Sequence, residues 1–78
     1  MFKVYSTTTC AYCKMVKKFF ALKGQSYDEV NLDEHPEVRD RIFEMSGKTT
    51  VPVVTKTIDG KEELICVGWD SKALMNAL

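Results

Sequence analysis

Two cysteines in the run Cys10-Ala11-Tyr12-Cys13 are the residues of this 78-residue chain best equipped for chemistry. A third, Cys66, makes the count odd, and three cysteines are too sparse for a secreted scaffold stapled by disulfides. Spacing of this kind marks a reactive dithiol or half of a metal site. A zinc set would have to recruit Cys66 and His35, and no second closely spaced pair completes it, so no bound metal is expected. As a structural staple alone, so short a loop would contribute only about 1.9 kcal/mol by the chain-entropy estimate. The chemistry to expect is thiol–disulfide exchange.

For that chemistry the two sulfurs must differ. If Cys10 caps a helix and Cys13 lies one turn inside, the sulfurs come within bonding reach, and the free N–H groups of the first turn point at Cys10. The helix end, aided by Lys14, is expected to lower the Cys10 pKa from about 8.5 into the range of roughly 3.5 to 7.5. Cys13, deeper, stays nearer the thiol form. A pKa lowered to about 6 raises the thiolate fraction at pH 7 about 30-fold, while a Brønsted slope of about 0.45 cuts intrinsic attack about 13-fold. Attack gains only about twofold; the larger benefit is that Cys10 becomes a good leaving group. Cys10 is thus the attacking residue and Cys13 the resolving one.

The flanking sequence supplies elements that would hold the pair in this way. Residues 2–6 alternate as a short strand, and residues 7–9 form a loop. From Ala11 to Lys23 the apolar Met15, Val16, Phe19, Phe20 and Leu22 recur at helical spacing, and Gly24 is a good stop. Residues 27–32 read as a second strand. Asp33-Glu34-His35-Pro36 opens a second helix with Val38, Ile42 and Met45 facing inward, closed by Gly47. The segment Thr50-Val51-Pro52-Val53-Val54 leads into a third strand, and Asp59-Gly60 is a tight hairpin signal joining it to a fourth strand at 62–67. Asp70 is the expected N-cap of a last helix whose Leu74, Ala77 and Leu78 face inward. The order β-α-β-α-β-β-α predicts one parallel crossover followed by an antiparallel hairpin: a four-stranded mixed sheet with helices on both faces, over residues 1–78 as a single domain. Cys10 would sit at the carboxyl end of the first strand, where α/β sheets place their chemistry.

Composition narrows the functional class. Lys plus Arg total 11 and Asp plus Glu total 11, without the basic surplus expected of a nucleic-acid binder. The apolar stretches are short, and Lys3 is followed by no hydrophobic region, so neither a signal peptide nor a membrane anchor is expected and the cytoplasm is the expected location. Residues 1–27 hold five lysines and no acid, whereas residues 28–45 hold seven acids against Arg39 and Arg41. These blocks either cancel in space as ordinary helix surfaces or stabilise an anion near Cys10. Cys66 reads as a buried core thiol, Met15 and Met45 as core fillers, and His35 as a residue near a helix cap. Trp69 either shields the thiol pocket or closes the core.

The run Val4-Tyr5-Ser6-Thr7-Thr8-Thr9-Cys10-Ala11-Tyr12-Cys13, followed by Thr50-Val51-Pro52, the Asp59-Gly60 hairpin and Gly68-Trp69-Asp70, resembles the glutaredoxins of the thioredoxin superfamily over essentially the whole chain. The resemblance implies a thioredoxin-like, three-layer α/β/α fold with Pro52 in the cis form beside the cysteines. It implies a dithiol oxidoreductase, expected to be monomeric, that reduces protein disulfides or thiol-protein mixed disulfides and is recharged by glutathione or a similar small thiol, with no bound cofactor. It further implies that Tyr12 flanks the thiol site, that Thr50 and Val51 hold the cysteinyl part of glutathione, that Asp70 and Ser71 receive its γ-glutamyl end, and that Arg39 meets its glycyl carboxylate. Each has an ordinary alternative: Tyr12 a surface aromatic, Asp70 a cap, Arg39 a solvated charge, Thr50 and Val51 strand formers. The chain departs from the common pattern at Thr7, where many glutaredoxins have lysine, at Val67, where Gly-Gly is usual, and at Ala11, where proline is common. Its Thr-Thr approach is similar to that of mycoredoxins, which serve a different small thiol. It also resembles the redoxins of ribonucleotide reductase, although Gly68-Trp69-Asp70 lacks their Ser-Gly-Phe-Arg/Lys-Pro segment. Two alternatives follow: a redoxin reduced by thioredoxin reductase that donates electrons to ribonucleotide reductase, and a carrier of an iron-sulfur cluster.

Overall fold

Strand alternation and helical spacing resolve into seven elements in a computed structural model that describes residues 1–48 and 50–78. They are β1 (Phe2–Ser6), α1 (Ala11–Leu22), β2 (Tyr27–Asn31), α2 (Pro36–Ser46), β3 (Val53–Ile58), β4 (Lys61–Val67) and α3 (Ser71–Ala77). The sheet order is β2-β1-β3-β4; β1 pairs with β2 in parallel and with β3 antiparallel, and β3 pairs with β4 antiparallel. This is the mixed sheet expected from the element order. No helix among the described residues is long and apolar enough to cross a membrane.

Both faces of the sheet are covered, because the alternation in β1 sends apolar side chains in both directions. Phe2 and Val4 pack with Val16 and Phe20 of α1, Val54, Cys66 and Leu74 of α3. Tyr5 points the other way, into a cluster with Leu32, Val53 and Ile42 of α2. The layers are therefore α1 and α3, the sheet, and α2. Phe20 stacks on Tyr27 with centroids 5.4 Å apart and lies 5.1 Å from Phe2, tying α1 to the first two strands.

Beside the Tyr5 cluster lies a polar network. Tyr5 Oη and Thr55 Oγ1 both donate to Glu62 Oε2, the latter at 2.6 Å, and Arg41 Nη1 donates to Oε1 at 3.3 Å. Burial alone would raise the Glu62 carboxyl, but hydrogen bonds from Thr55, Tyr5 and Arg41 outweigh it and hold the group below its ordinary value. Burial, and then the bond to Glu62, push the Tyr5 hydroxyl up. α2 is thereby pinned to β1, β3 and β4 by one carboxylate.

The hairpin turn is as the sequence predicts: Asp59 and Gly60 both adopt positive φ, 52° and 79°, the pairing whose twist matches the strands it joins. Within β3 and β4 a bulge shifts the register between Val54 and Thr55. The β3 ladder begins at Val53, after Thr50, Val51 and Pro52, since Pro52 has no N–H to contribute. Several apolar side chains expected inside are outside. Met15 is 43% and Leu22 77% exposed, because they lie roughly 140° round α1 from the Cys13–Val16–Phe20 stripe that meets the sheet. Met45 and Leu78, in or just beyond the last turns of their helices, are 36% and 47% exposed; an end turn has fewer neighbours to pack against.

Candidate active site

α1 starts at Ala11 because Cys10 stands in an extended conformation, φ −125° and ψ 110°, and turns its sulfur back over the helix end. Cys10 Sγ accepts the Cys13 N–H at 3.1 Å, the contact a serine or aspartate oxygen makes at an ordinary N-cap. The two cysteines are joined as a disulfide with Cα atoms 5.2 Å apart. Cys10 is half-buried between the exposed Thr9 and Ala11, whereas Cys13 is only 1% exposed. Cys10 is thus the more exposed residue of the pair.

The loop that presents Cys10 is anchored by contacts that the sequence reading did not assign to Thr8, Asn31 and Asp33. Thr8 N–H donates to Asp33 Oδ2 at 3.0 Å, Asn31 Nδ2 donates to Thr8 Oγ1 at 3.3 Å, and Asp33 N–H closes onto Asn31 Oδ1 at 2.8 Å. The legible signal was Asn-x-Asp at a strand end, a pattern that makes side-chain-to-backbone turns. Register does the rest. Ser6 pairs with Asn31, Tyr5 with Val53, and Val53 with Val67, so the ends of β1, β2 and β4 and the start of β3 share one edge of the sheet.

On that edge the Val51–Pro52 peptide bond is cis, and the Gly68 N–H donates to the Pro52 carbonyl at 2.7 Å. Comparison with known proteins is consistent with this geometry: residues 2–62 match the glutaredoxin family. The chain belongs to the glutaredoxin family. It is 45% identical to the glutaredoxin-like protein NrdH of Lactococcus lactis subsp. lactis over 56 residues, 72% of this chain and 76% of that one. Its fold superposes on the crystal structure of the thioredoxin-like protein BC3987 with a TM-score of 0.81 and 26% identity, covering 100% of both chains. It superposes on a buckwheat glutaredoxin-glutathione complex with a TM-score of 0.70 and 32% identity, covering 96% of this chain and 64% of that one.

The other residues that the resemblance to glutaredoxins singles out lie on α1, on α2, before β3 and at the start of α3. Tyr12 is 56% exposed one position before Cys13. Thr50 is exposed, Val51 is half-buried against the α2-side cluster, and Pro52 is buried. Asp70 caps α3, accepting the Ala73 N–H at 3.1 Å, and Ser71 is exposed as the first residue of that helix. Arg39 is exposed on α2, its Nε 4.0 Å from Asp40. Cys66 is buried in the cluster with Val54 and Leu74; burial, reinforced by the charge of Asp70, pushes its thiol up to about 11. Among the described residues no three His, Cys, Asp or Glu side chains converge as metal ligands. Trp69 packs edge-on against Phe19 at 5.8 Å, with the α1–α3 core.

Proposed function

We propose that this glutaredoxin reduces protein disulfides, or mixed disulfides between a protein and a small thiol, through Cys10 in the cytoplasm. The Cys10 thiolate attacks a substrate sulfur, one substrate thiol leaves, and a mixed disulfide to Cys10 forms. Cys13 then loses its proton and attacks the Cys10 sulfur, expelling the second substrate thiol. Two electrons pass to the substrate and the Cys10–Cys13 disulfide remains. Two molecules of glutathione, or of a similar thiol, return the electrons and leave as their own disulfide.

The observation that carries this reading is the Cys13 N–H held on Cys10 Sγ, with Cys13 itself buried. A peptide N–H aimed at a sulfur favours the thiolate and makes that sulfur the better leaving group when Cys13 attacks. For the small thiol, the reading assigns Val51 to backbone pairing with its cysteinyl part beside Pro52 and Thr50, Asp70 and Ser71 to its amine and carboxylate end, Arg39 to its other carboxylate, and Tyr12 to the flank of the thiol. That the buckwheat relative was solved with glutathione supports glutathione as the small thiol. Substitution of each cysteine tests the roles: Cys10→Ser should abolish reduction of a glutathione mixed disulfide, and Cys13→Ser should retain it. Equal residual activity in both variants would refute the assignment.

A second reading, a redoxin recharged by thioredoxin reductase that serves ribonucleotide reductase, is favoured by Thr7 and Val67 standing where glutaredoxins commonly carry lysine and glycine. Turnover compared with glutathione and with thioredoxin reductase as sole electron source separates the two. No turnover with glutathione would remove the first.

A further inference from the structure

Met15, Lys18, Phe19, Leu22 and Trp69 line a groove of about 330 Å³ on the side of α1 turned from its buried stripe. Positions 15, 18, 19 and 22 recur at helical spacing, so the groove follows the helix for about 10 Å. A small protein needs most of its large apolar side chains for its own core, yet here Leu22 is largely exposed and Met15 nearly half exposed. Trp69 supplies the wall across from the helix, edge-on to Phe19.

The rim is basic. Lys18 lines the groove, Lys14 is exposed one turn earlier, and Lys23 Nζ lies 5.8 Å from the Phe19 ring centroid. Lys17, on another side of the helix, is taken up by Glu29 at 2.7 Å, but among the described residues Lys14, Lys18 and Lys23 have no ion-pair partner. No acid precedes Asp28 in the sequence, and Asp70, next to Trp69, turns its carboxylate to the Ala73 N–H. An apolar floor beside unpaired cations calls for a partner with apolar side chains and carboxylates together.

We propose that this groove docks an acidic amphipathic segment of the disulfide-bearing protein substrate, its apolar side chains on Met15, Phe19, Leu22 and Trp69 and its carboxylates on Lys14 and Lys18. The proposal deepens the oxidoreductase reading and rests on it. On an ideal helix Lys14 and Lys18 lie between the direction of Cys10 and that of the groove. A substrate chain joined to Cys10 therefore crosses both lysines on its way. With a rise of roughly 13 Å along α1 and about 130° round it, the path from Cys10 to the middle of the groove is about 18 Å, so about five extended residues separate the acidic segment from the substrate cysteine.

Two cysteine-free synthetic peptides test the occupant: an amphipathic Leu/Glu peptide and its counterpart with Lys for every Glu. Each is titrated into the oxidised protein, with the fluorescence of Trp69, its single tryptophan, as the readout. The Leu/Glu peptide should saturate the signal and bind about tenfold more tightly than the Leu/Lys peptide. Lys18→Glu should erase that preference, and Leu22→Ser should weaken Leu/Glu binding about fivefold, while both variants reduce bis(2-hydroxyethyl) disulfide at the wild-type rate. Equal affinities for the two peptides, a preference that survives Lys18→Glu, or binding untouched by Leu22→Ser would overturn the proposal. Failure of the wild-type protein to reduce bis(2-hydroxyethyl) disulfide would instead count against the oxidoreductase reading, since peptide binding is measured without any electron transfer.

Discussion

The Gly68 amide donates to the Pro52 carbonyl at 2.7 Å, joining the exit of β4 to the loop before β3. That bond holds two stretches separate in sequence on one edge of the sheet: Thr50–Pro52, and the Gly68-Trp69-Asp70 approach to α3. Both are segments that the proposed thiol site uses, and the register of β1 with β3 brings the Cys10 loop to the same edge.

Gly68 has φ +82°, a backbone conformation that L side chains rarely adopt, although nothing lies within 4 Å of the place its Cβ would take. Gly68→Ala should therefore cost about 1 kcal/mol through the backbone alone, lowering the thermal midpoint by about 4–8 °C. A scan showing no loss would mean that the turn relaxes without strain.

Asp70 combines a cap with a charge, and two substitutions separate them. Asp70→Ala removes the acceptor for the Ala73 N–H and should destabilise the protein by about 1 kcal/mol in urea unfolding. Asp70→Asn keeps an acceptor and should hold stability near the wild type, yet raise the KM for glutathione, because the amine it is proposed to meet loses its counter-charge. Unchanged KM in the Asn variant would reduce Asp70 to a cap.

Local signals made much of this architecture legible in advance. Asp59-Gly60 has the φ freedom its turn needs, Asp70 has a side chain that can cap, and Cys10 stands where a strand pattern gives way to a helical one. Side chains whose fate depends on what lies opposite were harder to read. Met15 and Leu22 share the helical period of Val16 and Phe20, and their exposure follows from where α1 settles on the sheet. Glu62 reads as one more polar residue of a strand, and only the pairing of β3 with β4 and the packing of α2 bring Tyr5, Thr55 and Arg41 onto it. The turn of Asp33 onto Asn31 is local, but Thr8 meets both across a wide sequence gap, so no local window contained those contacts.

The Glu62 network predicts acid sensitivity with a definite sign. The folded carboxyl titrates below its ordinary value of 4.5, so its contribution is present above that pH and is lost as pH falls through the folded value. Glu62→Gln should cost about 1–3 kcal/mol at pH 7, and the gap to the wild type should shrink by pH 3 when both are unfolded in urea. A gap that stays constant across that interval would contradict the assignment.

Cys66, with its thiol pushed up to about 11 and its side chain buried, should resist alkylation at pH 8 in the folded, reduced protein. It should become titratable with 5,5′-dithiobis(2-nitrobenzoate) only after denaturation. Rapid labelling of Cys66 in the native state would show that β4 opens far more readily than its packing implies.

The asymmetry of the cysteine pair is tested most directly by the pH dependence of iodoacetamide alkylation of the reduced protein, with peptide mass spectrometry assigning each site. Cys10 should be modified first, along a curve with its midpoint below about 7.5, while Cys13 stays unmodified until the protein unfolds. Alkylation of both residues at equal rates, along one curve centred near the free-cysteine value of about 8.5, would contradict the account.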